Sequence, residues 1–269
     1  MPSVLKARLH QKNRTMKFPS GPLPEMPDRF AGRPIITGPC PPDCGLCRDV
    51  CPTQAIDRDG PRARLDLGRC LFCRACVEAC PQGRISFTRN HQLAAVRRND
   101  LVISENSPDR AEALSETARE YFGRSLKLRQ VSAGGCNACE ADVNVLGTPA
   151  WDIGRFGIDY VASPRHADGL LITGPVTKNM RLALEKTLAA TPKPRVVIAC
   201  GACAISGGPY LDHPEACNGA AAIVPVDLFV PGCPPHPLTI LDALLRFLGR
   251  TVPGFEGNKT PLLSPEREA

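Results

Sequence analysis

Cys70-Leu-Phe-Cys73-Arg-Ala-Cys76-Val-Glu-Ala-Cys80-Pro81 spaces four thiols by two, two and three residues and sets a proline directly behind the last. Three thiols on so tight a loop can wrap one face of a metal-sulfur cube, while the fourth, on the following turn, points elsewhere. The proline stops that turn from continuing as helix, because it has no N–H to donate. Cys40, Cys44, Cys47, Cys51 and Pro52 repeat the pattern, with one extra residue in a first gap that reads Pro41-Pro42-Asp43. Cysteine makes up 14 of the 269 residues, eight between Cys40 and Cys80 and six between Cys136 and Cys233. Ligation or bridging must account for so many thiols.

The compartment narrows the choice. Hydrophobic residues are 43% of the chain, enough for a core, but no apolar run approaches the roughly 18 residues that span a bilayer. Residues 1–18 carry positive charge without an apolar stretch, so no secretory signal is expected. Extracellular disulfides are then disfavoured, leaving metal ligation or redox chemistry. Behind the net charge of +6, residues 1–39 hold seven Lys/Arg (Lys6, Arg8, Lys12, Arg14, Lys17, Arg29, Arg33) against Glu25 and Asp28. Such a basic arm can meet nucleic acid, acidic proteins or anionic lipid. It reads here as a solvated or partner-docked tail, and Val4, Leu5 and Leu9 give it only a short apolar face.

The two groups of cysteines predict two domains: residues 40–104, and residues 126–250, with a tail over 251–269. Between them, Ser107-Pro108-Asp109 is a helix start and residues 111–122 continue in Ala, Glu, Leu and Arg to Gly123, giving a linker helix within 105–125. The first domain is poor in apolar periodicity, so its core is expected to come largely from whatever the thiols bind. Beyond Leu126, short apolar runs alternate with helical stretches, as in an α/β domain with a parallel sheet. Strands are expected at 169–173, 195–199 and 223–226. A half-buried helix is expected at 178–190 through Met180, Leu182, Leu184 and Leu188, and another at 236–248, stopped by Gly249.

The tandem runs are those of bacterial ferredoxins and predict two 4Fe-4S clusters that exchange their fourth cysteines. Cys40, Cys44, Cys47 and Cys80 would hold one, and Cys70, Cys73, Cys76 and Cys51 the other. Zinc, which commonly takes pairs of cysteines across a longer loop, suits the spacing less well. Residues 18–34, from Phe18-Pro-Ser-Gly-Pro to Gly32-Arg-Pro34, resemble the segment before the clusters in the ferredoxin-like subunit of respiratory complex I and of related membrane-bound hydrogenases. Residues 93–103 are similar to the segment after the clusters there. The extra residue before Cys44 departs from that family's spacing.

The remaining cysteines sit among glycines and prolines: Gly134-Gly-Cys136-Asn-Ala-Cys139-Glu140, Cys200-Gly-Ala-Cys203-Ala-Ile-Ser-Gly-Gly208, Cys217, and Val230-Pro-Gly-Cys233-Pro-Pro235. Glycine lets backbone approach a bulky cofactor and donate N–H groups to its sulfurs. Spacing leaves open a zinc site from Cys136, Cys139, Cys200 and Cys203, or a redox pair at either C-x-x-C. Arg155-Phe-Gly157, residues 163–168, Thr173-Gly-Pro-Val-Thr-Lys-Asn-Met180 and residues 226–235 are similar to the small cluster-bearing subunit shared by complex I and nickel-iron hydrogenases. That resemblance implies a flavodoxin-like domain over about 127–250 with a proximal 4Fe-4S cluster on Cys136, Cys139, Cys203 and Cys233. Cys203 matches the motif's cysteine before Ala-x-Ser-Gly-Gly, which leaves Cys200 and Cys217 as buried small residues. Complex I usually has adjacent cysteines at the first position, whereas hydrogenase-type subunits have C-x-x-C followed by an acid, as Glu140 follows Cys139 here.

Together these readings predict a fusion of the two subunits. It would be an electron-transfer chain with three 4Fe-4S clusters and no complete active site, which links a redox donor or acceptor to a nickel-iron hydrogenase-type centre on a large subunit. Membrane subunits of the same complex would hold it peripherally on the inner face of the cell membrane. The alternative is a quinone-reducing module in which Arg155, Phe156 and the loop from Ser163 face the quinone. A nucleic-acid-binding iron-sulfur regulator is a weaker option, and nucleic acid is not an expected partner.

Overall fold

The computed structural model describes residues 2–105 and 120–250. Among them, no helix is long and apolar enough to cross a membrane. The first element, α1 (Pro2–Gln11), is solvated, with Val4, Leu5 and Leu9 exposed. The segment behind it is tied down. Met16 N–H donates to Ala150 O at 3.0 Å, Phe18 and Met26 are buried, and β1 (Pro34–Ile36) pairs with a strand of the cysteine-rich region.

That region continues as α2 (Leu46–Asp49), β2 (Ile56–Asp59), β3 (Arg62–Asp66), α3 (Ala75–Ala79), β4 (Ile85–Phe87) and β5 (Val102–Ile103). β1 and β4 form one antiparallel pair, and β2, β3 and β5 a three-stranded sheet with Leu65 opposite both Ile56 and Ile103. This is a ferredoxin-like unit in which the two short helices present cysteines between the small sheets. Contrary to expectation, it has a substantial apolar interior: Leu65, Leu67, Ile85, Phe87 and Leu101 are all buried. The same core runs on through Leu93, Ala95, Ile205 and Phe229 into the second domain. Ile85 and Phe87 share the three-residue β4, Leu65 lies on the five-residue β3, and Leu67 and Leu101 lie outside the strands, so no segment is long enough to show a period in sequence.

The second domain is flavodoxin-like: β6 (Leu126–Ser132), α4 (Ala138–Val145), β7 (Ile158–Tyr160), β8 (Gly169–Thr173), α5 (Lys178–Ala190), β9 (Val196–Cys200), α6 (Ala202–Ser206), β10 (Leu228–Val230) and α7 (Pro237–Phe247). All five strands are parallel, in the order β10-β9-β8-β6-β7. β8 and β9 are buried along their whole length, as central strands covered on both faces must be. α7 is buried throughout and begins at His236, whose Nδ1 accepts from Leu238 N–H at 3.1 Å.

Two expectations need correction. No strand forms at 223–226: Pro225 has no N–H for a ladder, and β10 begins only after Asp227, whose carboxylate accepts from Val197 N–H at 2.8 Å. On α5, Leu182 is 58% exposed while Leu184 is fully buried, so its apolar stripe is narrower than the leucine count suggested. The linker helix falls mostly outside the described residues, although Glu120 to Phe122 are helical up to Gly123, and the tail over 251–269 lies outside them entirely.

The domains also share backbone hydrogen bonds. Ala95 N–H donates to Phe229 O at 3.1 Å and Phe229 N–H to Ala95 O at 2.9 Å, which covers the free edge of β10. Ser206 Oγ donates to Gly68 O at 2.9 Å. A shared core makes the domains unfold together. Leu65→Ala should cost about 2–5 kcal/mol, and the fluorescence transition of Trp151, the chain's single tryptophan, should move to lower denaturant with it. An unshifted Trp151 transition would mean that the domains unfold independently.

Candidate iron-sulfur centres

The chain gathers its thiols into three groups. In the first, Cys40, Cys44, Cys47 and Cys80 line one cavity, with Ile56 and Ile85 behind them and Arg48, Arg58 and Arg84 around them. Burial pushes the Cys47 thiol up, and the facing Cys80, Cys40 and Cys44 add to it. Cys80 reaches this cavity from the far end of α3, where Arg84 N–H donates to its sulfur at 3.4 Å.

The second group joins Cys70, Cys73 and Cys76 to Cys51. Burial raises the Cys70 thiol most, Phe72 N–H opposes this by donating to its sulfur at 3.3 Å, and Cys76, Cys51 and Cys73 raise it further. Cys76 is pushed up to about 12, by burial first and then by Cys51, Cys73 and Cys47. Phe72 and Arg74 adopt left-handed backbone, φ +56° and +64°, which folds the loop tightly enough to bring three thiols to one side. Cys51 is fixed by Ala55 N–H, which donates to its sulfur at 3.2 Å.

The third group lies beyond the carboxyl ends of β6, β9 and β10, where an open parallel sheet places its sites. Burial drives the Cys139 thiol far up, with Cys203, Glu140, Cys233 and Cys136 adding to it. Cys203 is pushed up to about 11 by burial, then by Cys233 and Cys136. Cys200 ends β9 fully buried, where Cys139, Glu140 and Asp142 act on it rather than Cys136, Cys203 or Cys233. Cys217 is only partly buried and stands outside all three groups.

Two glycines make this third arrangement possible. A Cβ on Gly201 (φ +94°) would stand 2.6 Å from Cys139 Sγ, and one on Gly208 (φ +55°) 2.9 Å from Cys203 Sγ. Glu140, singled out in sequence only for its place after Cys139, is 6% exposed. Its Oε1 accepts from Ser132 Oγ at 2.7 Å and from Thr173 Oγ1 at 2.6 Å. Burial alone would raise this carboxyl, but the two hydroxyls together with a backbone N–H outweigh it and hold it below the ordinary value. Neither hydroxyl was foreseen, since each lies on a different strand of the sheet. Arg155 donates to Phe18 O at 2.9 Å, which ties it to the N-terminal segment, and stacks over the Phe156 ring.

The donor sets fit 4Fe-4S clusters. Each group offers four thiols, and at Cys47, Cys70, Cys76, Cys139, Cys203 and Cys233 burial and the neighbouring thiols resist ionisation, so iron is the charge that would stabilise thiolates there. Among the described residues, no three Cys, His, Asp or Glu side chains close up enough for a single metal ion. A cubane, with an iron at each of four corners, takes thiols set wider apart.

This α/β fold with clustered thiols is that of an iron-sulfur electron-transfer protein of the hydrogenase and complex I-related kind. Residues 136–247 match the family described as NADH ubiquinone oxidoreductase, 20 Kd subunit, and residues 40–84 match the 4Fe-4S dicluster domain. A probable membrane-bound hydrogenase subunit, mbhJ, of Pyrococcus furiosus is 39% identical over 55% of this chain and 89% of its own length. Formate hydrogenlyase subunit 7 of Escherichia coli is 44% identical over 56% of this chain and 59% of its own. An NADH-quinone oxidoreductase subunit of Roseiflexus sp. is 40% identical over 55% of each. The chain belongs to the 20 kDa subunit family of NADH:ubiquinone oxidoreductase, with a dicluster domain fused in front.

Raised thiol values set a pH dependence for the metal-free protein. Between the ordinary thiol value of 9.0 and the values of about 11 for Cys203 and 12 for Cys76, the folded chain keeps protons that the unfolded chain releases. Metal-free protein should therefore lose stability as pH rises above 9, and denaturant titrations at pH 7, 9 and 10.5 measure this. Midpoints independent of pH would show that these thiols are not held neutral by burial.

Proposed function

We propose that this chain carries electrons between a redox partner and a nickel-iron hydrogenase-type site on a separate large subunit. Three 4Fe-4S clusters would be held by Cys40, Cys44, Cys47 and Cys80, by Cys70, Cys73, Cys76 and Cys51, and by Cys136, Cys139, Cys203 and Cys233. When bound, such clusters supply one-electron carriage at potentials the protein tunes through charge, hydrogen bonds and solvent exposure. The observation that carries this reading is the serial arrangement of the thiol groups. Cys47 of the first lies near Cys76 of the second, and Cys73 of the second near Cys233 of the third. The third group then adjoins the catalytic subunit, and the first is the outer terminal.

The hydrogenase reading is favoured by the C-x-x-C-Glu sequence at Cys136 to Glu140 and by relatives named for a membrane-bound hydrogenase and for formate hydrogenlyase. The quinone reading draws support from the NADH-quinone oxidoreductase relative. In either case membrane subunits would hold the chain peripherally on the inner face of the cell membrane. Hydrogen-dependent viologen reduction by the purified assembly should be measurable, and quinone reduction without hydrogen uptake would favour the alternative.

Anaerobically purified protein should contain about twelve iron and twelve acid-labile sulfide atoms, four of each per cluster. Cys203→Ser should remove or distort the proximal EPR signal, leave the other two centres reducible, and abolish turnover with the large subunit. Cys200→Ser should cost only packing, about 0.5–3 kcal/mol. Equal loss of the proximal signal in both variants would overturn the assignment of Cys203.

A further inference from the structure

The first cysteine run departs from its twin by one residue, and the fold answers that departure with a side chain from another strand. Residues 41–43 bulge between Cys40 and Cys44, one residue longer than the matching gap between Cys70 and Cys73. Arg58 Nη1 donates to Pro42 O at 2.7 Å and to Cys44 O at 3.0 Å, closing the bulge from across the cavity. Arg58 is placed for this by β2. The alternation of that strand turns Ile56 and Arg58 to the same side, toward the thiols, and its cross-strand neighbour is the small Ala63.

The charge of Arg58 also bears on this cavity. Of the other arginines at this cavity, Arg48 pairs with Asp49 at 3.2 Å and Arg84 donates to Gln82 at 3.2 Å. Among the described residues, Arg58 forms no ion pair with a carboxylate, so its cation is left to act on the thiol cavity. We infer that Arg58 is a positioning residue for the Cys40, Cys44, Cys47 and Cys80 centre: it braces the lengthened loop so that Cys40 and Cys44 face one cluster, and its charge raises that cluster's reduction potential. This rests on the proposed reading that these four cysteines hold a 4Fe-4S cluster.

The test compares full-length wild type, Arg58→Met and Arg58→Lys, each purified anaerobically, by iron analysis and by EPR-monitored redox titration that follows the three centres separately. Arg58→Met should lower the potential of one centre only and broaden or lose its signal, with loss of up to about four of about twelve irons. Arg58→Lys keeps a cation and a multiple donor, and should return both signal and potential toward wild type. Deleting Pro42, which shortens the gap to two residues, should make Arg58→Met harmless to the signal while its lower potential persists. An unchanged centre in Arg58→Met, parallel decline of all three centres, failure of Arg58→Lys to rescue, or the same signal loss in the Pro42 deletion would each overturn the inference. A wild-type protein with about eight irons would instead overturn the ligand assignment on which it rests.

Discussion

Four sulfurs cannot be held as anions in a partly buried site unless a cation stands among them, and this constraint orders the rest of the molecule. Each thiol group shows it: burial and mutual repulsion both resist ionisation at Cys47, Cys76, Cys139 and Cys203. The surroundings bring hydrogen-bond donors and positive charge to the sulfurs. Backbone N–H groups of Ala55, Phe72 and Arg84 donate to Cys51, Cys70 and Cys80, and arginines surround the first cavity. Left-handed residues and glycines keep the loops tight enough for these contacts without placing a Cβ where sulfur must sit.

The proposed function gives a reason for the two domains to be fastened together. Electron carriage between the proposed centres would depend on their separation, so Cys73 and Cys233 would have to hold their positions although they belong to different domains. The structure meets this with a continuous apolar core, with the Ala95 and Phe229 pairing at the edge of the parallel sheet, and with the bond from Ser206 to Gly68. The N-terminal segment adds a strap: β1 joins the first domain while Phe18 and Met26 are buried in the core of the second. Glu140 plays a local part of the same kind, since the hydroxyls of Ser132 and Thr173 tie the start of α4 to two neighbouring strands.

Much of this is legible in the amino-acid order. Two proline-terminated cysteine runs, the glycine and proline setting of the later thiols, and the change from cysteine-rich to strand-and-helix pattern near Leu126 identify the domains' character and the family, because ligand spacing and backbone permissiveness are local properties. The helix at Lys178–Ala190 follows from the period of its apolar residues, and the strand at Gly169–Thr173 from its short continuous apolar run. Other features are decided only by long-range contact. The core of the first domain is assembled from residues on short strands and on the turns beside them. The strand at Leu228–Val230 is set by Pro225 and by the bond between Asp227 and Val197. The burial of Glu140 and the reach of Arg58 depend on side chains that are distant in sequence. Sequence by itself determined which residues could ligate and which stretches could form strand or helix, since spacing and period act within a few residues. Tertiary structure alone decided which thiols meet and what charge and hydrogen bonds surround them, because those depend on packing between segments that the chain brings together only when it folds.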